Sequence, residues 1–314
     1  MTIYKPSKKT LKIAISMLKM GNLVAFPTET VYGLGADATS EDAILKIFKI
    51  KKRPRFNPLI IHCNSKAKAM EIGKFDKLSE KLINHFWPGP LTIVLPILKN
   101  SQISNLATSG LKTVALRVPE NKFARNLINL FGKPIAAPSA NPSGKLSPTC
   151  AIHVKQKLGK KISMIIDDGT SNMGIESTVI LVRNNNVFLL RPGAITNEKI
   201  ENIINKKLIT AKIEKSLSPG MQKNHYAPSK PIRLNAKRVF KNEAHLAFGN
   251  EKLGKAFKTL NLSEKGDLKE AARNLFTMLH QLEKLKVKKI AVSKIPNYDL
   301  GIAINDRLNR AAKK

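Results

Sequence analysis

The sequence predicts an α/β fold, a twisted mixed β-sheet with flanking helices, followed by a smaller α/β unit. Three observations lead there. From the start to about residue 210, short apolar runs alternate with amphipathic stretches of helical period. Several of the apolar runs, notably 178–182 and 187–190, follow each other with no helix between, which argues against a purely parallel sheet. At about residues 212–230 the run SLSPGMQKNHYAPSKP continues neither period, and the alternation then resumes. The division is therefore 1–211, a linker over 212–230, and 231–314.

The first helix is expected over 8–20 and the first strand over 23–26, where Leu23, Val24, Ala25 and Phe26 are all apolar. Pro27 ends that strand because proline has no backbone donor. Thr28, Glu29 and Thr30 then place hydroxyls and a carboxylate just past the strand, and Gly33 and Gly35 allow a tight turn or close approach to a ligand. This stretch, FPTETVYGLGAD, reads equally as a binding loop or as strand, glycine turn and helix start. Further strands are expected over 59–63, 91–97, 113–118, 135–137 and 164–166, besides the pair already named. Helices are expected over 40–49, 77–86, 121–131 and 197–205. After the linker, PIRL, 245–248 and 289–292 read as strands, and 267–285 and 303–312 as helices.

A chain of 314 residues with 42% hydrophobic content can bury a large core. No apolar run approaches the roughly 18 residues of a membrane span, and Lys12 and Lys19 interrupt the first apolar segment, so a cytoplasmic protein is expected. Cys63 and Cys150 stand far apart, outside metal-ligand spacing, and are expected to be reduced, buried thiols. The net charge of +33 suits weak electrostatic affinity for RNA. Only 11 of the 55 basic residues are arginine and aromatic content is 5%, so a dedicated nucleic-acid platform is not indicated.

Four further segments repeat one layout, a strand end or proline turn carrying polar groups. In KIKKRPRFNPLIIHC, Lys51, Lys52, Arg53 and Arg55 precede a strand that ends near His62, either a phosphate-holding cluster or a solvated charge run beside a core histidine. Arg117 lies in an otherwise apolar strand, TVALRVP, either buried with a carboxylate partner or turned outward by strand alternation, and Thr113 at the strand start is either a ligand contact or a β-former on the sheet. In PIAAPSANPSGKLSPT, Ser139, Asn141, Ser143, Gly144 and Ser147 offer small side chains and free amides, as in a phosphate-binding concavity or a plain surface loop. In DDGTSNMGIESTVILV, the carboxylates of Asp167, Asp168 and Glu176 are placed to ligand magnesium or to cap turns, and Arg191 ends the strand of VFLLRPGAI. No nucleophile elbow, Walker loop, dinucleotide fingerprint or zinc-protease helix is present, so the inventory favours nucleotidyl transfer by positioning and charge neutralisation.

In this order, FPTETVYGLGAD, KKRPRFNPLIIHC, FWPGPLTIVLP, TVALRVP, AAPSANPSG, ESTVI and LLRPGAI resemble the threonylcarbamoyl-adenylate synthase family over nearly all of residues 10–195. SPGMQKNHYAP and the C-terminal DLGIAINDRLNRAA resemble its two-domain form, although the region after residue 230 is short for it. The resemblance implies a Rossmann-like second domain. It also implies a nucleotidyltransferase that condenses L-threonine, bicarbonate and ATP, with magnesium, into threonylcarbamoyl-adenylate and pyrophosphate. A tRNA threonylcarbamoyl transferase would then use the product on the adenosine beside the anticodon. By the same resemblance Thr30, His62, Arg117, Ala137 and Ser177 form the threonine site. Lys51, Arg53, Asn57, Thr113, Ser139, Asn141, Ser147, Arg191 and Tyr226 form the ATP site, with residues 218–228 as a lid.

Overall fold

The computed structural model describes residues 2–210 and 225–313. The first unit contributes strands β1 (Thr2–Tyr4), β2 (Val24–Phe26), β3 (Gly33–Asp37), β4 (Ile60–His62), β5 (Leu91–Pro96), β6 (Thr113–Arg117), β7 (Ile135–Ala136), β8 (Met164–Ile166), β9 (Thr178–Arg183) and β10 (Asn186–Arg191). Among the described residues they form one sheet in the order β1-β8-β2-β3-β7-β4-β6-β5-β9-β10. The pairs β1/β8, β4/β6 and β5/β9 are parallel, whereas β2/β3, β5/β6 and β9/β10 are antiparallel, as the helix-free successions in the sequence require.

Helices α1 (Lys8–Lys19) and α5 (Lys122–Phe131) share a core with Val24, Phe26, Ile135 and Met164 on one face. On the other face α2 (Glu41–Lys51), α3 (Lys66–Met70), α4 (Lys77–Phe86), α6 (Ala151–Leu158) and α7 (Asn197–Ile204) bury Ile44, Ile47, Leu82, Val154 and Ile200. Ser7, Ser40, Ser65, Asp76 and Asn121 cap their helices by accepting amide hydrogens, and so fix where α1 to α5 begin.

The second unit has β11 (Ile232–Arg233), β12 (Glu243–Ala247), β13 (Lys258–Asn261) and β14 (Lys289–Val292), all parallel, in the order β11-β14-β12-β13. Helices α8 (Leu268–Leu282) and α9 (Leu300–Ala312) cover one face. Val31, Leu146, Ile175 and Tyr226 belong to the same apolar cluster as α8 and α9, so the core is continuous across the junction. Gly174 lets the two units meet this closely: its φ is +70°, and a Cβ there would stand 2.4 Å from backbone atoms of Arg273 on α8.

Several expectations change. Gly33 and Gly35 lie inside β3, not in a turn. They are glycine because β3 pairs with β2 with no room to spare: a Cβ on Gly35 would sit 2.5 Å from the Phe26 ring. Strands β1 and β13 and helices α3 and α6 were not expected, being too short or too polar to show a period. Strand β12 begins at Glu243 and helix α9 at Leu300, earlier than the apolar pattern indicates. Cys63 is buried, but Cys150 is only half-buried. Residues 218–224 of the expected lid lie outside the described residues.

Candidate active site

Strand alternation aims the key side chains. In β4 and β6, His62 pairs in register with Arg117 and Ile60 with Ala115, so the imidazole and the guanidinium emerge side by side from one face of the sheet. The isolated bridge between Gly33 and Ser139 brings the loop after β7 to the same place, and β9 and β10 deliver Ser177 and Arg191 from its far side. Thr30, Arg53, His62, Arg117, Ala137, Ser139, Ser177, Arg191 and Tyr226 all line one cavity, together with Thr28, Glu176 and His225.

This cavity concentrates ionisable groups that a packed interior ordinarily excludes. Arg53, Arg117, Arg191, Glu29, Glu176 and His62 are each less than 9% exposed. Burying charge is costly unless it is paired, and such clusters mark functional sites. Arg117 donates to Glu29 Oε1 at 2.5 Å and to Thr30 Oγ1 at 3.0 Å, so the partner that its buried position requires is a carboxylate of this chain. Arg191 donates to the Ser177 carbonyl at 2.9 Å and to Ser177 Oγ at 3.0 Å. Arg53 donates to the carbonyls of Asn57 at 3.1 Å and Pro58 at 2.8 Å, and among the described residues it has no ion pair. Burial, and then the neighbouring Arg191 charge, push Arg53 down to about 9. Burial and then Arg53 likewise hold Lys51 well below the ordinary lysine range. The protein alone thus disfavours these charges, and a bound anion would favour them. His62 is lowered to about 3 by burial and then by Arg117, so it is neutral near pH 7.

Five expected ATP residues do not line the cavity. Lys51 is fully buried at the end of α2. Its Nζ donates to the carbonyls of Ser139 and Asn141, so it braces the loop instead of facing the opening. Asn141 Nδ2 donates to Pro142 O and Lys145 O, which makes it a turn-former. Ser147 Oγ donates to Glu176 Oε1 at 2.5 Å. Asn57 Oδ1 and Thr113 Oγ1 are buried and have no hydrogen-bond partner among the described residues. Three contributors have no assigned site role in the sequence reading, although Glu29 lies in the candidate binding loop and His225 in the expected lid. Glu29 is the Arg117 partner, His225 stands against Tyr226 with ring centroids 4.0 Å apart, and Arg307 of α9 donates to Glu176 Oε2 at 3.0 Å. The HY dipeptide and the C-terminal DLGIAINDRLNRAA, which contains Arg307, both carry the family resemblance, but neither shows which side chain reaches the site.

His225 and Tyr226 close the cavity. Tyr226 is 1% exposed, its hydroxyl has no hydrogen-bond partner among the described residues, and burial pushes it up to about 12. The free volume beneath is about 40 Å³. Small-molecule pockets run to about 300–1,000 Å³, so the cavity is well below the volume of such a pocket.

The carboxylates do not build a magnesium cage. Glu29 and Glu176 are both engaged by arginines, and Asp167 and Asp168 accept instead from Lys5 and Asn121. Among the described residues no group of three metal-ligating side chains comes together.

A family model described as telomere recombination matches residues 16–193, and one described as the C-terminal domain of threonylcarbamoyl-AMP synthase matches residues 195–313. The threonylcarbamoyl-AMP synthase of Bacillus subtilis (strain 168) is 38% identical over 322 residues, which span 95% of this chain and 92% of the relative. The chain belongs to the threonylcarbamoyl-AMP synthase family, a family of nucleotidyltransferases. Its fold is similar to that of P. abyssi Sua5 complexed with L-threonine, at 36% identity and a TM-score of 0.91, over 99% of this chain and 98% of that one. The second unit is therefore not trimmed relative to that member of the family. A variant of P. abyssi Sua5 in which a consecutive histidine and tyrosine are both alanine also matches, at 35% identity and a TM-score of 0.89. This chain contains one such dipeptide, His225–Tyr226.

Proposed function

We propose that this chain synthesises L-threonylcarbamoyladenylate from L-threonine, bicarbonate and ATP, releasing pyrophosphate, and that the product supplies a cytoplasmic tRNA-modifying transferase. The observation that carries the reading is the convergence of Arg53, Arg117 and Arg191, from three separate segments, on the one cavity that also holds Thr30, His62 and Ser177.

The chemistry asks the site to hold two anions together. Bicarbonate takes up a proton and loses water to give carbon dioxide, and the threonine amine adds to it and loses a proton, giving a carbamate. A carbamate oxygen then attacks the α-phosphorus, and the bond to the bridging oxygen of the β-phosphate breaks as pyrophosphate leaves. Two unit charges 4 Å apart repel by about 4 kcal/mol at an effective dielectric of 20, a cost that fixed cations offset. Arg53 and Arg191, whose charge burial disfavours, serve the phosphates in this reading, and Asn57, Thr113 and Ser139 the rest of the nucleotide. Arg117, already neutralised by Glu29, orients the amino-acid carboxylate through the donors it shares with Thr30. Neutral His62 complements the polar end of threonine without adding charge. Lys51, Asn141 and Ser147 act one layer back, holding the loops that carry Ser139 and Glu176. Magnesium arrives with the nucleotide in this reading, since Glu29 and Glu176 are both engaged by arginines.

The test is pyrophosphate release from purified protein with each substrate omitted in turn. The reading requires release with ATP, threonine and bicarbonate together and background levels when any one is missing. An RNA-binding role on the same fold would instead give salt-resistant RNA binding with no ATP consumed.

A further inference from the structure

We infer that the second unit completes this site through one side chain, Arg307, which acts as a positioning residue for Ser177, Arg191 and Tyr226. The inference rests on the proposed activity of the site.

Arg307 projects from α9 and is 1% exposed. Its Nε donates to Glu176 Oε2 at 3.0 Å, and its Nη1 donates to the carbonyl of Pro192 at 2.5 Å. The first acceptor belongs to the residue before Ser177 and the second to the residue after Arg191. One planar guanidinium therefore grips both flanks of the Arg191–Ser177 hydrogen bonds, a fork that lysine cannot reproduce. Glu176 is held from its other side by Ser147 Oγ, and its carbonyl accepts from Ala194 at 3.1 Å. The face of the same guanidinium lies 5.3 Å from the centroid of the Tyr226 ring, a cation–π contact on the residue that closes the cavity. Among the described residues its Nη2 has no hydrogen-bond partner, and neither have Tyr226 Oη and His225 Nδ1.

Gluing the two units together does not require this geometry. Lys157 pairs with Glu283 at 2.6 Å, His153 stacks on His280 at 4.0 Å, and Thr149 bonds Thr277 at 2.9 Å, all across the same junction. None of these residues lines the cavity. Among these polar contacts, only Arg307 bonds a residue that does. Groups that must hold a reacting geometry are usually fixed by such a supporting layer.

The experiment compares the wild-type protein with Arg307→Lys, the charge-neutral pair Glu176→Gln/Arg307→Met, and Lys157→Met as the junction control. Steady-state constants for threonine and ATP, melting temperature, and amide hydrogen exchange at residues 176–178, 193 and 194 are read on each. Expected are a cooperative melting transition in the paired variant, at least a tenfold fall in kcat, faster exchange at Ala194, and a smaller fall for Arg307→Lys. Lys157→Met lowers the melting temperature and leaves the kinetics and that exchange unchanged. Wild-type constants and exchange in the paired variant overturn the inference, as does an equal kinetic loss in Lys157→Met. Should the paired variant not fold, Arg307→Lys decides: folded with wild-type constants and exchange, it overturns the inference. Should the wild-type protein itself not turn over, the activity reading fails, and hydrogen exchange alone still decides what Arg307 holds.

Discussion

At the scale of single residues, the three cavity arginines differ in what their removal leaves behind. Arg117→Ala strands Glu29 as a buried, unpaired carboxylate and is expected to cost about 3–5 kcal/mol of stability together with activity. Arg53→Ala leaves only two backbone carbonyls, at about 1–3 kcal/mol, so its effect falls mainly on turnover. Thermal melting beside pyrophosphate release checks the contrast: a hundredfold or greater activity loss in both, with a clearly larger melting shift for Arg117→Ala. Equal melting shifts would remove the Glu29 pairing from the account. Arg117 was legible in the sequence because a charged residue interrupts an apolar strand. Its partner was not, because Glu29 sits 88 positions away and only the sheet order brings the two together. Lys51 could not be singled out for a related reason: a charge run conceals which lysine turns inward, and this one donates to the carbonyls of Ser139 and Asn141.

At the scale of elements, the strands with uniform apolar runs and the capped amphipathic helices were readable, since period and capping are local properties. Short elements were not. Strand β3 was hidden by its glycines, whose lack of side chains reads as a turn but serves packing against Phe26. Gly35→Ala is therefore expected to destabilise the protein by about 1–3 kcal/mol, because the new methyl meets the Phe26 ring at 2.5 Å and Ile135 at 3.0 Å. Denaturant unfolding measures it, and an unchanged midpoint would mean that β2 and β3 separate easily. The same substitution shifts the strand that leads out of the Thr28–Thr30 turn, so reduced turnover should accompany it.

At the scale of the molecule, the second unit was recognisable as a separate α/β body, but its hold on the first was not, because Glu176 and Arg307 are 131 positions apart. A chain truncated before Ser216 loses Tyr226 and Arg307 together and is expected to release little pyrophosphate; full activity in that fragment would make the second unit dispensable. The buried imidazoles set the pH response. His62 and His225 are held to about 3 by burial, against about 6.5 in the unfolded chain. Between these values the unfolded state binds more protons, so the stability they contribute is whole above about pH 6.5 and is lost as pH falls. Each contributes a loss of at most about 1.5 kcal/mol between pH 6.5 and 5. Melting temperature should therefore drop over that interval, and a flat profile would contradict neutral burial.

The central claim, that an amino acid and a nucleoside triphosphate react side by side in the arginine-lined cavity, is tested most directly by the isotopic composition of the product. With ¹³C-bicarbonate, threonine and ATP, mass spectrometry should find an adenylate one mass unit heavier than the unlabelled product, with threonine and the labelled carbon both attached. An adenylate of threonine without the labelled carbon, or ATP consumed with no adenylate formed, would contradict it.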